Sequence, residues 1–353
     1  MSGSVASRQA MVRGRSRQSL FLSRPLTAAP AAPSLPVRTT RCRQASPRKR
    51  GEGNPADPEM TIRKPCKLRL PPLDRNLRAG LSMDLDTITA VLRPARLDEL
   101  PPWREGDAWL AGGTWLFSEP QPALARLIDL SALGWPAAEL SEAGLRLSAT
   151  GTIAELDRLA LPRDWIAAPL VGQCCRALLG SFKIWNRASV GGNLCMALPA
   201  GPMIALTAAL DGTCLMRRPD GSERRLPVTE FILGPQRTAL APGEILRGID
   251  IPASALRRRT AFRRIALSPE GRSGALVIGT RDRAGAFALT VTASTPRPVQ
   301  LPFAAVPTAA ALQQAIAAAI PEDGWYDDVH GAPDWRRHVT GRLAEEIREE
   351  LAR

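Results

Sequence analysis

The spacing of apolar and polar residues predicts strands and helices in succession, beginning near residue 108. Two short apolar runs, at 108–113 and 125–130, are bounded by glycine or polar residues and predict strands. A period of two at 144–149 predicts a third strand. A helix is expected next, because Thr152 can cap its N-terminus and Glu155 stands at the capping-box position. This succession is typical of a small α/β unit.

The middle of the chain predicts helices together with antiparallel strands. We expect one helix over residues 166–180 and a second over "MIALTAALDG", ending near Gly212. A hairpin is predicted to turn at Asp220-Gly221, because Asp-Gly is a favoured pair for tight hairpin turns. The segment "GEILRGIDIP" predicts a strand that Pro252 closes.

The last hundred residues also predict a mixture of strands and helices. A two-stranded hairpin is predicted over 274–294, turning near Ala284-Gly285. Helices are predicted over 308–320 and 334–351. We find no internal repeat in the sequence. The predicted fold class is therefore α+β.

Charge divides the 353-residue chain into two unequal parts. Residues 1–82 contain 17 Lys/Arg against 4 Asp/Glu, whereas residues 83–353 contain 30 of each. The basic segment is rich in Arg, Pro and Ser without apolar periodicity, so we expect it to be disordered. Three explanations are open for it: a nucleic-acid-binding arm, a targeting segment, or translation that starts at Met83. The balanced remainder gives no electrostatic indication of a nucleic-acid partner.

Cysteine and histidine usage argues against a metal centre. The sequence has two histidines, both near its C-terminus, and no C-x-x-C pair. We expect free, buried thiols in a reducing compartment. No apolar run approaches the roughly 20 residues of a membrane span, so we expect a soluble, cytoplasmic protein. The six cysteines are Cys42, Cys66, Cys174, Cys175, Cys195 and Cys214.

Two segments share an apolar stretch, a Gly-Gly pair and a small polar residue. They are "WLAGGTWLF" at 109–117 and "ASVGGNLC" at 188–195. Glycine permits positive φ and close approach to a ligand, and successive N–H groups in such turns suit phosphate oxygens. Two such turns would suit the two phosphates of a dinucleotide, although each alone is also an ordinary structural turn. Neither matches the Rossmann or P-loop pattern.

From about Met83 onward the chain resembles the FAD-binding subunit of the molybdenum hydroxylases, the xanthine dehydrogenase and carbon monoxide dehydrogenase family. The segment "LAGGTWL" resembles the family's first flavin loop, A-G-G-T-D-L. "IWNRASVGGNLCMALPAGP" resembles the second loop, I-R-N-x-A-T-I-G-G-N-x-x-x-A-S-P-x-x-D. "RTALAPGEILRGIDIP" resembles the segment that closes the FAD domain, and "DDVHGAPDWRRHVTGRLAEE" resembles the end of the C-terminal domain.

The resemblance implies a fold and a division into domains. The expected fold is α+β, with two α/β subdomains that clasp FAD in a vanillyl-alcohol-oxidase/PCMH-like arrangement. A small C-terminal domain with a short antiparallel sheet and helices follows. The FAD domain is expected over 83–256, its subdomains at about 83–140 and 141–256, and the C-terminal domain over 257–353.

The resemblance also implies the residues that contact FAD. Three positions depart from the family pattern: Trp115 replaces an acidic residue, Pro202 an aspartate and Pro235 an aromatic residue. Leu246 matches a position that contacts the flavin or adenine, and Arg263 a position where a basic residue is sometimes found near FAD. The two loops are expected to contribute Ala111, Gly112, Gly113, Thr114, Trp115 and Leu116, together with Ser189, Val190, Gly191, Gly192 and Asn193.

In function, the resemblance implies an oxidoreductase subunit that transfers electrons. Iron–sulfur clusters would deliver electrons to FAD, which would pass them to NAD, a quinone or oxygen. The molybdenum cofactor and the 2Fe-2S clusters would belong to a large and a small partner subunit. No catalytic acid or base and no metal ligand is expected in this chain. The alternative is a flavin-free assembly subunit with the same fold.

Overall fold

The computed structural model describes residues 85–353, all within one compact unit. The predictions for residues 1–82, including Cys42 and Cys66, and for a start at Met83 lie outside the described residues. Three larger sheets follow one another along the described part of the chain, and a small two-stranded sheet accompanies the second. Its 3₁₀ turns are at Leu97–Glu99, Leu130–Leu133 and Glu322–Gly324.

The first sheet is parallel and has three strands in the order β1-β3-β2. Arg126 in β3 pairs with the buried Asp107 in β2 at 2.5 Å, which fixes these two strands to each other. The Trp109 indole N–H donates to the carbonyl oxygen of Glu244 at 2.9 Å and so ties this sheet to the next part of the chain. The strands are β1 Ala90–Leu92, β2 Asp107–Leu110 and β3 Arg126–Asp129.

The second sheet is antiparallel and has the strand order β4-β5-β10-β6-β7. A small two-stranded sheet, β8-β9, accompanies it. Short helices connect the strands and cover the sheet. Its strands are β4 Ala138–Ser141, β5 Gly144–Ser148, β6 Thr213–Arg217, β7 Glu223–Pro227, β8 Ile232–Gly234, β9 Arg237–Thr238 and β10 Ile245–Pro252. The helices are α1 Ile153–Asp157, α2 Ala168–Ala177, α3 Phe182–Trp185, α4 Val190–Met196, α5 Pro202–Ala209, α6 Val228–Phe231 and α7 Ala253–Leu256.

The third sheet is antiparallel, in the order β11-β12-β13-β14, and the two C-terminal helices pack on it. The guanidinium of Arg336, which is almost fully buried, donates to the carbonyl oxygens of Gly331, Gly274 and Ala293 and thereby fastens the last helix to the sheet. The elements are β11 Arg259–Ile265, β12 Ala275–Arg281, β13 Phe287–Thr292, β14 Val299–Phe303, α8 Ala309–Ala319 and α9 Pro333–Ala352.

Helix α5 lies at the centre of the main hydrophobic core. All eight of its residues are buried, as expected for a helix that is apolar on every side. It packs against α2 and α4 on one side and against β12 and β13 on the other. Because Leu276 and Ile278 of β12 join the same core, the third sheet is continuous in packing with the part of the chain before it.

Most predicted elements are confirmed, with one correction in their arrangement. Thr152 and Glu155 form the expected capping box at α1. The hairpin turns at Asp220-Gly221, where Gly221 has φ +86°, and a second hairpin turns near Gly285. The strand over 144–149 was assigned to a small α/β unit, which is wrong: β5 pairs antiparallel with β4 and β10. The partner β10 comes about a hundred residues later, so local periodicity does not reveal it.

Candidate functional site

The first glycine segment forms an open loop after the carboxyl end of β2. Gly113 has φ +71°, a conformation that favours glycine. Within the described part of the chain, no group accepts a hydrogen bond from the backbone N–H groups of residues 112–116. The loop is closed instead by Phe117 N–H donating to the Gly113 carbonyl and Ser118 N–H to the Trp115 carbonyl, both at 2.9 Å. A row of backbone donors is therefore available to a ligand.

Gly112 brings this loop against the segment that precedes the second Gly-Gly pair. A Cβ atom at residue 112 would lie 1.6 Å from the carbonyl oxygen of Arg187 and 2.5 Å from its carbonyl carbon. Only glycine permits this approach, because the obstacle is backbone and cannot move aside as a side chain can. The tertiary structure thus brings the two predicted segments together.

The second Gly-Gly pair was predicted to form a turn, which is wrong. It begins helix α4, with Ser189 as the N-cap. The Gly192 N–H donates to Ser189 Oγ at 3.0 Å, and the Gly191 N–H donates to the Ala149 carbonyl at 2.9 Å. The Val190 and Asn193 N–H groups are paired with the carbonyls of Gly151 and Ser189. The backbone donors of this segment are therefore already used within the protein.

The two glycines of α4 differ in what surrounds them. A Cβ atom at Gly191 would lie 2.5 Å from the Ala149 Cβ, so this glycine allows the helix to pack on the end of β5. Apart from its chain neighbours and the backbone of its own helix, the only atom of residues 85–353 within 4 Å of a Cβ atom at Gly192 would be Ser189 Oγ, at 2.9 Å. Gly191 is thus required by packing, and Gly192 is the position at which a ligand has room to approach.

Asn193 links α4 to α5. Its side-chain carbonyl accepts a hydrogen bond at 3.0 Å from the backbone N–H of Met203, in the first turn of α5. Pro202 stands at the first position of that helix, where the missing N–H of proline removes no hydrogen bond. This accounts for a proline at the position where the family pattern has an aspartate.

A cleft of about 320 Å³ opens beside the first loop. The Phe117 ring lies over Gly113, since a Cβ atom there would come 2.3 Å from Phe117 Cε2. Two of the lining residues, Lys183 and Arg187, are cationic, and in the described part of the chain the lining contains no acidic residue. The lining residues are Gly112, Gly113, Thr114, Phe117, Ser118, Lys183, Ile184 and Arg187.

Five of these lining residues were not singled out from the sequence. Phe117 ends the first segment and Ser118 follows it, whereas Lys183, Ile184 and Arg187 precede the "ASVGGNLC" segment. A sequence signal for the two cations existed, because both stand directly before the second motif with no acidic residue between them. The segment's position against the first loop, however, is a tertiary contact.

Among the expected contact residues, Gly112, Gly113 and Thr114 line the cleft. The others do not: Ala111, Trp115, Leu116, Ser189, Val190, Gly191, Gly192, Asn193, Leu246 and Arg263. Val190 and Leu246 are 1% and 3% exposed, and their side chains belong to the hydrophobic core. Arg263 is paired with Glu350 at 2.6 Å and Glu346 at 3.1 Å, both in α9. Its charge is therefore neutralised within the C-terminal part of the chain. The remaining first-loop residues, Ala111, Trp115 and Leu116, are half-buried beside the cleft.

The comparisons identify the domain that holds these loops. Residues 87–254 match the family model described as the FAD binding domain in molybdopterin dehydrogenase. Over those residues the chain is similar to this FAD-binding domain. The two loops, α4 and α5 and the whole five-stranded sheet lie inside the FAD-binding domain so defined.

Solved structures share the fold of the FAD-binding domain and of the part that follows it. A chain of carbon monoxide dehydrogenase from Oligotropha carboxidovorans is 21% identical, with a TM-score of 0.63, covering 74% of this chain and 96% of that chain. A chain of quinoline 2-oxidoreductase from Pseudomonas putida 86 is 20% identical, with a TM-score of 0.60 and the same coverage. Xanthine dehydrogenase from Oryza sativa subsp. japonica is 34% identical over 84 residues, which span 22% of this chain but only 6% of that protein.

The residues at the cleft suit the phosphate portion of FAD. Unpaired backbone N–H groups and two cationic side chains are the groups that bind phosphate oxygens in proteins. The cleft is lined by both, and it lies within the matched FAD-binding domain. In chemical terms, the donor set fits a diphosphate.

Other classes of site find little support in residues 85–353. They contain no cluster of three or more His, Cys, Asp or Glu side chains arranged to hold a metal ion. No helix among them has the length and apolarity needed to cross a membrane. Burial raises the pKa of Cys195 and of Cys175 to about 12, so these thiols stay protonated at neutral pH. Cys174, Cys175 and Cys214 are buried, Cys195 is partly buried, and all four are free.

Proposed function

We propose that this chain is the FAD-binding electron-transfer subunit of a molybdenum hydroxylase. The bound FAD would accept electrons from 2Fe-2S clusters in a small subunit and supply them to NAD, a quinone or oxygen. A large subunit with the molybdenum cofactor would oxidise the organic substrate. The family match and the shared fold with chains of carbon monoxide dehydrogenase and quinoline 2-oxidoreductase support this proposal.

The observation that carries the proposal is the row of unpaired N–H groups at residues 112–116. We assign the FAD diphosphate to this loop, with Thr114 Oγ1 as a further donor. The second segment contributes in another way: the amides of α4 are paired, and the turn before α4 supports the loop through the contact of Arg187 with Gly112. This division of roles is asymmetric, whereas the sequence motifs look alike.

In this proposal the chain holds and orients the flavin and supplies no catalytic acid or base. The FAD-binding domain is assigned to 83–256 and the C-terminal domain to 257–353. In support of this division, β10 of the second sheet ends at Pro252 and β11 of the third sheet begins at Arg259. The buried free thiols suit a reducing compartment, so we place the complex in the cytoplasm.

The visible absorption spectrum of the purified full-length chain tests the proposal. We expect the two flavin bands, and FAD in the supernatant after heat release. Copurification of a 2Fe-2S subunit and a molybdenum-cofactor subunit would extend the result to the complex. A folded, colourless protein that takes up no added FAD would refute the electron-transfer role and favour the flavin-free assembly subunit.

A further inference from the structure

We propose that Lys183 and Arg187 are the cationic partners of the FAD diphosphate and provide most of the charge attraction for it. This assignment rests on the proposed function, because it presumes that FAD occupies the cleft. Lys183 lies outside both glycine motifs, and Arg187 precedes the "ASVGGNLC" segment although it falls within the longer stretch that resembles the second flavin loop. Both stand on the short stretch between α2 and α4 that carries the helix α3.

Backbone contacts hold both side chains at the cleft. The carbonyl of Arg187 lies against Gly112, so the position of residue 187 is fixed relative to the first loop. The N–H groups of Asn186 and Arg187 donate to the carbonyls of Phe182 and Ile184 at 3.0 Å, which continues the helical turn beyond α3. Residues four apart in such a turn share a face, and Lys183 and Arg187 both line the cleft accordingly.

The charges of these two residues lack partners in the described structure. Within residues 85–353 neither forms an ion pair, whereas the arginines Arg126 and Arg224 are each paired with a carboxylate. Two exposed cations on one turn repel each other, and a doubly charged anion between them relieves that repulsion. The neighbouring N–H groups of residues 112–116 add donors for the same oxygens.

The paired amides of α4 strengthen the argument. Because the Gly191, Gly192 and Asn193 N–H groups are satisfied internally, they supply no hydrogen bond to a diphosphate in this conformation. The Val190 N–H is paired as well. Within the described residues, the cationic side chains that line the cleft are those of Lys183 and Arg187.

The test compares flavin binding by the full-length wild type with that of Lys183→Met, Arg187→Met and the double variant. Methionine keeps the length of the side chain and removes its charge. Dissociation constants are measured by flavin fluorescence for FAD and for riboflavin, which has no phosphate, at two salt concentrations. Lys183→Arg and Arg187→Lys retain the charge, and Arg283→Met removes an exposed charge at the distant hairpin turn.

We expect each Met substitution at the cleft to weaken FAD binding about three- to tenfold, as one exposed charge contact would. Riboflavin affinity should not change, and the salt dependence of FAD binding should become shallower in the double variant. The charge-retaining variants and Arg283→Met should bind as the wild type does. Thermal unfolding should be unaffected, because neither cation has an ion pair to lose.

The outcomes separate this assignment from the proposed function. If the wild type binds FAD and the double variant binds it equally well, the assignment is overturned and the proposed function stands. If riboflavin affinity falls as much as FAD affinity, charge recognition of the diphosphate is likewise refuted. A wild type that binds neither flavin overturns both proposals together.

Discussion

Gly112 lies so close to Arg187 that a Cβ atom at residue 112 would be 1.6 Å from the Arg187 carbonyl oxygen. The contact joins two segments that are far apart in sequence, the loop after β2 and the turn between α3 and α4. Both sides of the contact are backbone atoms, so no rotation of a side chain can make room for an added Cβ atom. The first loop can therefore lie against the turn that carries Lys183 and Arg187 only if residue 112 is glycine.

Gly112→Ala should separate the first loop from the turn that carries Lys183 and Arg187. We expect the free energy of unfolding to fall by about 1–3 kcal/mol, as for other overpacked sites, and FAD affinity to fall with it. Denaturant unfolding and FAD titration measure the two effects. Gly341→Ala, in the middle of α9, is the matched control and should be neutral or slightly stabilising. Equal behaviour of the two variants would contradict the contact.

Ser189→Ala should destabilise helix α4. The Ser189 hydroxyl accepts the Gly192 N–H at 3.0 Å, and its loss leaves that donor without a partner in the protein. The expected loss is about 1 kcal/mol of unfolding free energy, measured by chemical denaturation. Ser181 is the control, because it stands at the N-cap of α3 without a capping hydrogen bond. A Ser181→Ala variant as unstable as Ser189→Ala would argue against the capping role.

Asn193→Ala should lower stability more directly than it lowers flavin binding. Its side-chain carbonyl caps α5 through the Met203 N–H, and α5 lies at the centre of the core. We expect a loss of about 1–2 kcal/mol in unfolding free energy, and substantial recovery in Asn193→Asp, which keeps an acceptor. Should Asn193→Ala weaken FAD binding while stability stays unchanged, the residue would instead be a ligand contact, as the sequence resemblance implies.

The Arg126–Asp107 pair should make stability fall in acid. The hydrogen bond from Arg126 holds the pKa of the Asp107 carboxyl below its ordinary value of 3.8. A lowered pKa in the folded state contributes stability that is present above 3.8 and is lost as pH falls towards the folded value.

The free energy of unfolding, measured at a series of pH values from neutral to below 3.8, checks this loss of stability in acid. At pH values above 3.8, Asp107→Asn should have a lower free energy of unfolding than the wild type. The difference in unfolding free energy between the two proteins should narrow as the pH falls. Asp98→Asn is the control, because the exposed Arg96–Asp98 pair, with side chains 71% and 65% exposed, should contribute little. A constant difference between Asp107→Asn and wild type at every pH would refute the linkage.

Local sequence signals predicted most of the helices and hairpins of this protein. The Thr152 and Glu155 capping box, the Asp220-Gly221 turn and the apolar run of α5 each act over a few residues, so their outcome is readable from the sequence. The pairing of β5 with β10 could not be predicted in this way, because the two strands are about a hundred residues apart in sequence.

For the candidate site, the sequence by itself singled out the two Gly-Gly segments, and the tertiary structure decided how the backbone of each one is arranged. The two Gly-Gly motifs look equivalent in sequence, yet the amides at 112–116 have no hydrogen-bond partner within residues 85–353, while those of α4 are paired with Ala149, Gly151 and Ser189. Hydrogen bonds to a neighbouring strand and the contact of Gly112 with Arg187 make this difference. Both depend on which segments folding brings together, and no local pattern of residues encodes that.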